Sequence, residues 1–161
     1  TCALPISMAR ELEDAILNMR TNELDIGLWK VQTLGDAAAV QAMDQFLMAH
    51  KDHWLVNETI GLLRRTFSRL DVSSRSLFAL IEEGSCFTGT LAELAFAADR
   101  AYMLDLPDSP DTAPKLTLSE MNFGYLPMVT TMNAAGILDL PARKRLDVGW
   151  VPNLSARHRR K

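Results

Sequence analysis

Cysteine, histidine and aromatic side chains are scarce in this chain of 161 residues. There are two cysteines, Cys2 and Cys86, three histidines, His50, His53 and His158, and only 7% aromatics. Two cysteines cannot make the disulfide framework of a small secreted scaffold, and two free thiols suit a reducing cytoplasm. No cysteine lies near a histidine at zinc-ligand spacing, so no metal is expected. An excess of charge of one sign is also missing. Seventeen basic residues against twenty acidic ones leave a net charge of −3, which excludes the basic surplus of a general nucleic-acid binder. A membrane-spanning run is lacking too. The longest uncharged stretch, Met121 to Leu138, contains Pro127, Gly124, Gly136, Asn122 and Asn133, which a spanning helix would have to accommodate. The opening residues, Thr1 to Ile6, have neither the basic flank nor the apolar length of a signal peptide. The expectation is a cytoplasmic protein that contacts neither nucleic acid nor membrane.

What remains is an ordinary globular composition, with 48% hydrophobic and 23% charged residues. A chain of this length can bury roughly 68–70% of its unfolded surface and so needs no staple to fold.

Hydrophobic spacing supplies the elements. Met8, Leu12, Ile16 and Met19 recur at helical intervals and predict a helix over Ser7 to Arg20. Leu24 to Thr33 alternates like a strand. Gly35-Asp36 is a turn, with Asp36 placed to cap a helix carrying Val40, Met43 and Leu47. Val56, Ile60, Leu63, Phe67 and Leu70 define the next helix, and Arg64, Arg65 and Arg69 fall on its other faces as a solvated surface or a basic patch. Ser76 to Ile81 is nearly all apolar, as in a parallel strand buried on both faces. Gly84 and Gly89 bracket a loop, Thr90 to Ala98 reads as a helix, and Ala101 to Leu106 as a further strand. Pro107 to Pro114 is a loop, and no element is assigned beyond Pro127. This order predicts α/β packing with crossover connections.

The chemistry concentrates in one stretch, Gly84 to Asp99. A buried strand runs into a glycine-bearing loop that opens a helix of small residues. The first N–H groups of such a helix have no internal partner and favour developing negative charge, so the turn can form half of an oxyanion hole. Glu93 follows among Leu91, Leu94 and Ala95. Its carboxylate either faces solvent or is partly buried with a raised pKa suited to acid–base work. Glu120, also among apolar neighbours, can converge with it on one cleft, although spacing does not establish that.

These residues resemble the crotonase, or enoyl-CoA hydratase/isomerase, superfamily. Glu93-Leu94-Ala95 with Asp99, and Glu120 with Gly124, match two of its patterns. The runs Arg20 to Gly27, Glu58 to Arg65, Leu70 to Glu82, Gly84 to Phe87 and Leu118 to Gly124 are similar to one branch, the benzoyl-CoA-dihydrodiol lyases, across roughly Met8 to Val129. The resemblance implies a ClpP/crotonase-like spiral α/β fold and a lyase that opens the ring of 2,3-epoxybenzoyl-CoA with release of formate. It also implies Glu93 and Glu120 as catalytic groups, and backbone donors from Gly35, Asp36, Gly89 and Thr90. Cys86, Phe87, Asn122 and Phe123 are its candidate substrate-pocket residues. The acyl-CoA is substrate, no separate cofactor is implied, and the intact protein is expected to be a homo-oligomer.

Two departures shape the remaining expectations. Thr88 and Thr90, rather than further glycines, flank Gly89, and members of the branch are much longer than this chain. The expectation is therefore a fragment. Residues 1–129 form an incomplete crotonase-like domain without its first strands, and 130–161 form a divergent basic tail of the kind a frameshift produces. The alternatives are a generic enoyl-CoA hydratase or isomerase, and a non-catalytic truncated remnant.

Overall fold

A computed structural model describes residues 2–107 and 112–127, together with the backbone of 148–152. Helix α1, Ala3–Thr21, begins earlier than its apolar stripe suggests. Pro5 lies in its first turn, where a missing N–H removes no helical hydrogen bond. Strand β1 is Leu28–Val31, shorter than the predicted Leu24 to Thr33. Its partner strand meets it only over those residues, and Ile26 N–H turns back onto Glu23 C=O at 3.2 Å. Alternation in a sequence cannot show where the neighbouring strand stops.

Helix α2, Ala37–Ala49, starts where Asp36 accepts a hydrogen bond from Ala38 N–H at 2.8 Å, as its cap position predicts. Helix α3, Trp54–Asp71, buries Val56, Ile60, Leu63, Phe67 and Leu70, the predicted stripe in full. Strand β2 is Ser76–Ile81. Next come a tight turn at Gly89–Leu91, helix α4 at Ala92–Ala97 and strand β3 at Arg100–Asp105. A second tight turn spans Glu120–Asn122. Strand β4, Val148–Pro152, stands where the sequence reading assigned no element.

The four strands form one parallel sheet in chain order, β1-β2-β3-β4. Parallel neighbours require crossovers, supplied by α2 and α3 between β1 and β2 and by α4 between β2 and β3. Leu77, Ala79 and Ile81 point into the core, whereas Phe78 and Leu80 are half-buried. β2 therefore has one fully buried face rather than the predicted two. α4 packs on β2 and β3, α3 on α4, and α1 on α3. The main core lies in that stack, where Ala9, Ile16, Leu63 and Phe67 belong to the same buried cluster as Leu77, Ala79 and Ile81 of β2. Each fully buried large apolar side chain there contributes about 1.5–3 kcal/mol relative to exposure. The predicted boundary at 129/130 lies outside the described residues, as do part of the Pro107 to Pro114 loop and all of the expected tail except β4.

Candidate active site

Helix α4 enters the core almost whole: Ala92, Glu93, Leu94, Ala95 and Phe96 are all buried. Glu93 is 0% exposed. A charged group in that setting needs donors, and Asn122 supplies one, with Nδ2 donating to Glu93 Oε1 at 2.6 Å. The same amide nitrogen donates to Gly89 C=O at 2.9 Å. Asn122 Oδ1 accepts from Ser119 N–H at 2.9 Å, which fixes the orientation of the amide because a backbone N–H can only donate. Asn122 thus ties the second tight turn to the turn that opens α4.

The two predicted carboxylates have different surroundings. Glu93 is enclosed, whereas Glu120, two positions before Asn122, is exposed at the start of its turn. Glu120 therefore shares a turn with the residue that touches Glu93. A cavity of about 210 Å³ opens nearby between α3 and the Gly124–Tyr125 corner. It is lined by Glu58, Arg64, Arg65 and Tyr125 among others, but not by Glu93.

Three of the four expected backbone donors, those of Gly35, Gly89 and Thr90, already have acceptors within the chain. Gly89 N–H donates to Thr117 C=O at 2.8 Å, and Thr90 N–H donates to Asp44 Oδ2 at 2.8 Å. Gly89 has φ +50°, and a Cβ on it would be driven into Asp44 Oδ2 and crowd Ser119 Oγ. Glycine is required there by both conformation and space. The Gly35-Asp36 turn lies against the Gly84–Cys86 loop: Gly35 N–H reaches Gly84 C=O at 3.4 Å, and Cys86 N–H donates to Thr33 Oγ1 at 3.0 Å. Of the candidate pocket residues, Cys86, Phe87 and Asn122 are buried and Phe123 is 48% exposed. Asp99, noted in the sequence for its distance from Glu93, joins α4 to the sheet. It accepts from Leu77 N–H at 2.8 Å, and its own N–H donates back to Leu77 C=O at 2.8 Å.

Sequence reasoning missed Asp44, Ser119 and Thr117. Asp44 is 1% exposed in the middle of α2 and accepts from Thr90 and Ser119. Burial pushes its carboxyl above the ordinary aspartate value of 3.8, with the hydrogen bonds from Ser119 and Thr90 opposing that rise. One signal was legible. Asp44 lies four positions after Val40 and three before Leu47, on the apolar stripe of α2.

No family model matches the chain. It is 58% identical over 129 residues to the benzoyl-CoA-dihydrodiol lyase of Aromatoleum evansii, in an alignment that covers 80% of this chain and 23% of that protein. The chain therefore spans about a quarter of the length of the curated relative. With that identity sustained over four fifths of its length, the chain is similar to a segment of that benzoyl-CoA-dihydrodiol lyase.

Proposed function

We propose that the protein to which this chain corresponds is a ring-opening carbon–carbon lyase of aerobic benzoyl-CoA degradation, acting on 2,3-epoxybenzoyl-CoA with release of formate. The observation that carries the reading is the 58% identity across 129 residues to a benzoyl-CoA-dihydrodiol lyase. The small parallel sheet with crossover helices supports a crotonase-like fold for this segment. In this reading the protein works in the cytoplasm as a homo-oligomer.

Glu93 and Glu120 then divide the proton work. Glu93, enclosed and held by Asn122, has the position of a group kept away from bulk water. Glu120, exposed on the neighbouring turn, has the position of one that exchanges protons with solvent. Different surroundings, one carboxyl enclosed and the other open to solvent, are how a pair takes separate acid and base roles. The thioester oxygen is received by backbone N–H groups at the Gly35-Asp36 and Gly89-Thr90 turns. At Gly89 and Thr90 it competes with the acceptors already present, Thr117 and Asp44. Cys86, Phe87, Asn122 and Phe123 line the acyl end of the substrate.

The test is a chimera in which the matched part of the Aromatoleum lyase is replaced by the corresponding residues of this chain. Formate release from 2,3-epoxybenzoyl-CoA is followed with and without Glu93→Gln. An active chimera that loses at least about 100-fold with Glu93→Gln, within the usual span for an acid–base group, supports the reading. An active chimera indifferent to both Glu93→Gln and Glu120→Gln removes these glutamates from the chemistry. A folded chimera with no lyase activity counts against the assignment of this segment.

A further inference from the structure

A buried carboxylate is costly unless donors meet it, and three meet Asp44. Thr90 N–H donates to Oδ2 at 2.8 Å, Thr90 Oγ1 to Oδ1 at 2.5 Å, and Ser119 Oγ to Oδ2 at 2.5 Å. None of these donors belongs to α2, the helix that carries the carboxylate. Two come from the turn before α4, and the third caps the Glu120–Asn122 turn. Each turn has other attachments that hold it in place. Gly89 N–H is held by Thr117 C=O, and Asn122 bridges Gly89 C=O and Ser119 N–H. The donors are thus positioned by contacts that do not involve Asp44. Both carboxylate oxygens are addressed, and the bare Gly89 leaves the space that Oδ2 occupies.

We infer that these two turns form a carboxylate-binding site whose occupant is the chain's own Asp44, and that a small free carboxylate takes its place when that side chain is cut back to Cβ. Thr90 N–H, the donor the resemblance assigns to a thioester oxygen, is held by this internal anion. The inference rests on contacts within the chain and does not depend on the lyase reading. Asp44→Ala removes one carbon and two oxygens, the heavy atoms of formate. A void of that shape with three donors on its wall binds a two-oxygen anion better than chloride, which cannot address both positions.

The experiment measures thermal unfolding of the chain and of Asp44→Ala in sodium formate, sodium acetate or sodium chloride at matched ionic strength. Losing one partner of a buried charged cluster lowers the midpoint of Asp44→Ala by about 10 °C in chloride. Formate at about 0.2 M recovers half or more of that loss with a saturating dose curve, as expected for a ligand that binds only the folded state. It leaves the parent chain unmoved relative to chloride. Equal midpoints for Asp44→Ala in formate and chloride overturn the inference, as does an equal rise in variant and parent. If Asp44→Ala shows no cooperative transition in any salt, Asp44→Asn decides. That variant keeps the volume but turns an amide N–H₂ toward one donor. A lowered midpoint for Asp44→Asn, insensitive to formate because the site is full, upholds the inference, and a midpoint equal to the parent overturns it.

Discussion

The helical layer built by α1 and α3 and the junction where two tight turns meet α2 and α4 are both buried, for opposite reasons. In the layer, Ile16, Leu63, Phe67 and Leu70 leave water because they are apolar. Their contacts are many, weak and non-directional. In the junction, Asp44, Thr90, Glu93 and Asn122 are as well buried as Phe67. What keeps them there is a chain of short hydrogen bonds running from α2 to α4. The first region tolerates changes of shape at constant volume. The second fails when one donor is lost, because a stranded buried polar group keeps its full desolvation cost.

The most damaging single changes should be comparable in size but different in kind. Gly89→Ala should cost about 3–5 kcal/mol, because the new methyl meets Asp44 and the left-handed backbone is strained. Gly27→Ala is the control. A methyl added there would meet no atom within 4 Å, so the change should be neutral or stabilising by under about 1 kcal/mol. Phe67→Ala should cost about 3–5 kcal/mol through lost transfer energy and a cavity. Phe67→Leu should recover most of that, whereas no apolar residue should substitute at position 89. Urea denaturation of the four variants measures the contrast, and a harmless Gly89→Ala would erase it.

Asn122→Ala comes next, at about 3 kcal/mol, since it withdraws the donor to buried Glu93 Oε1 and the bridge to Gly89. Asn122→Ala combined with Glu93→Gln should lose less than the sum of the two single changes. Additivity within about 0.5 kcal/mol would show that the pair is not coupled.

A smaller effect concerns pH. The folded-state pKa of Asp44 lies above its unfolded value, with burial the main cause. Between those two values the folded state holds the extra proton. Stability from this group is therefore greatest below about 3.8 and falls as pH rises through the raised folded-state value. The apolar layer has no such dependence. Carbon NMR of the Asp44 carboxyl should show a midpoint above that of the exposed aspartates, and a midpoint at or below theirs would remove the contribution. The smallest change is Arg69→Ala. The Arg69–Glu13 ion pair at 2.8 Å ties α3 to α1, but both side chains are partly exposed, and its loss should cost about 0–1 kcal/mol.

The layer could be read in advance and the junction could not. The stripes on α1 and α3, the Asp36 cap and β2 follow from local spacing and were legible. Glu93 was marked by its motif, but the sequence left open whether its carboxylate faces solvent or the interior, and its place on α4 encloses it. Asp44 passed unnoticed because a single aspartate on a helix is most often solvated. Its true setting depends on Thr90 and Ser119, which lie 46 and 75 positions away. Asn122 was singled out as a pocket residue, while its bridge from Glu93 to Gly89 could not be seen. β4 went unassigned because its pairing depends on β3, far back in the chain.

By itself, then, the sequence determined the helices α1 to α3 and the strands β2 and β3 in outline, that they pack as α/β, and through long matched runs, which known protein this segment resembles. Those properties are local or statistical and survive without coordinates. Tertiary structure alone decided that Glu93 is enclosed and Glu120 exposed, that Gly89 and Thr90 donate within the chain, and that Asp44 is the acceptor Thr90 meets. Hydrogen bonds act over about 3 Å and depend on direction. Only the folded backbone, by bringing α2 against two distant turns, selects which donor faces which acceptor.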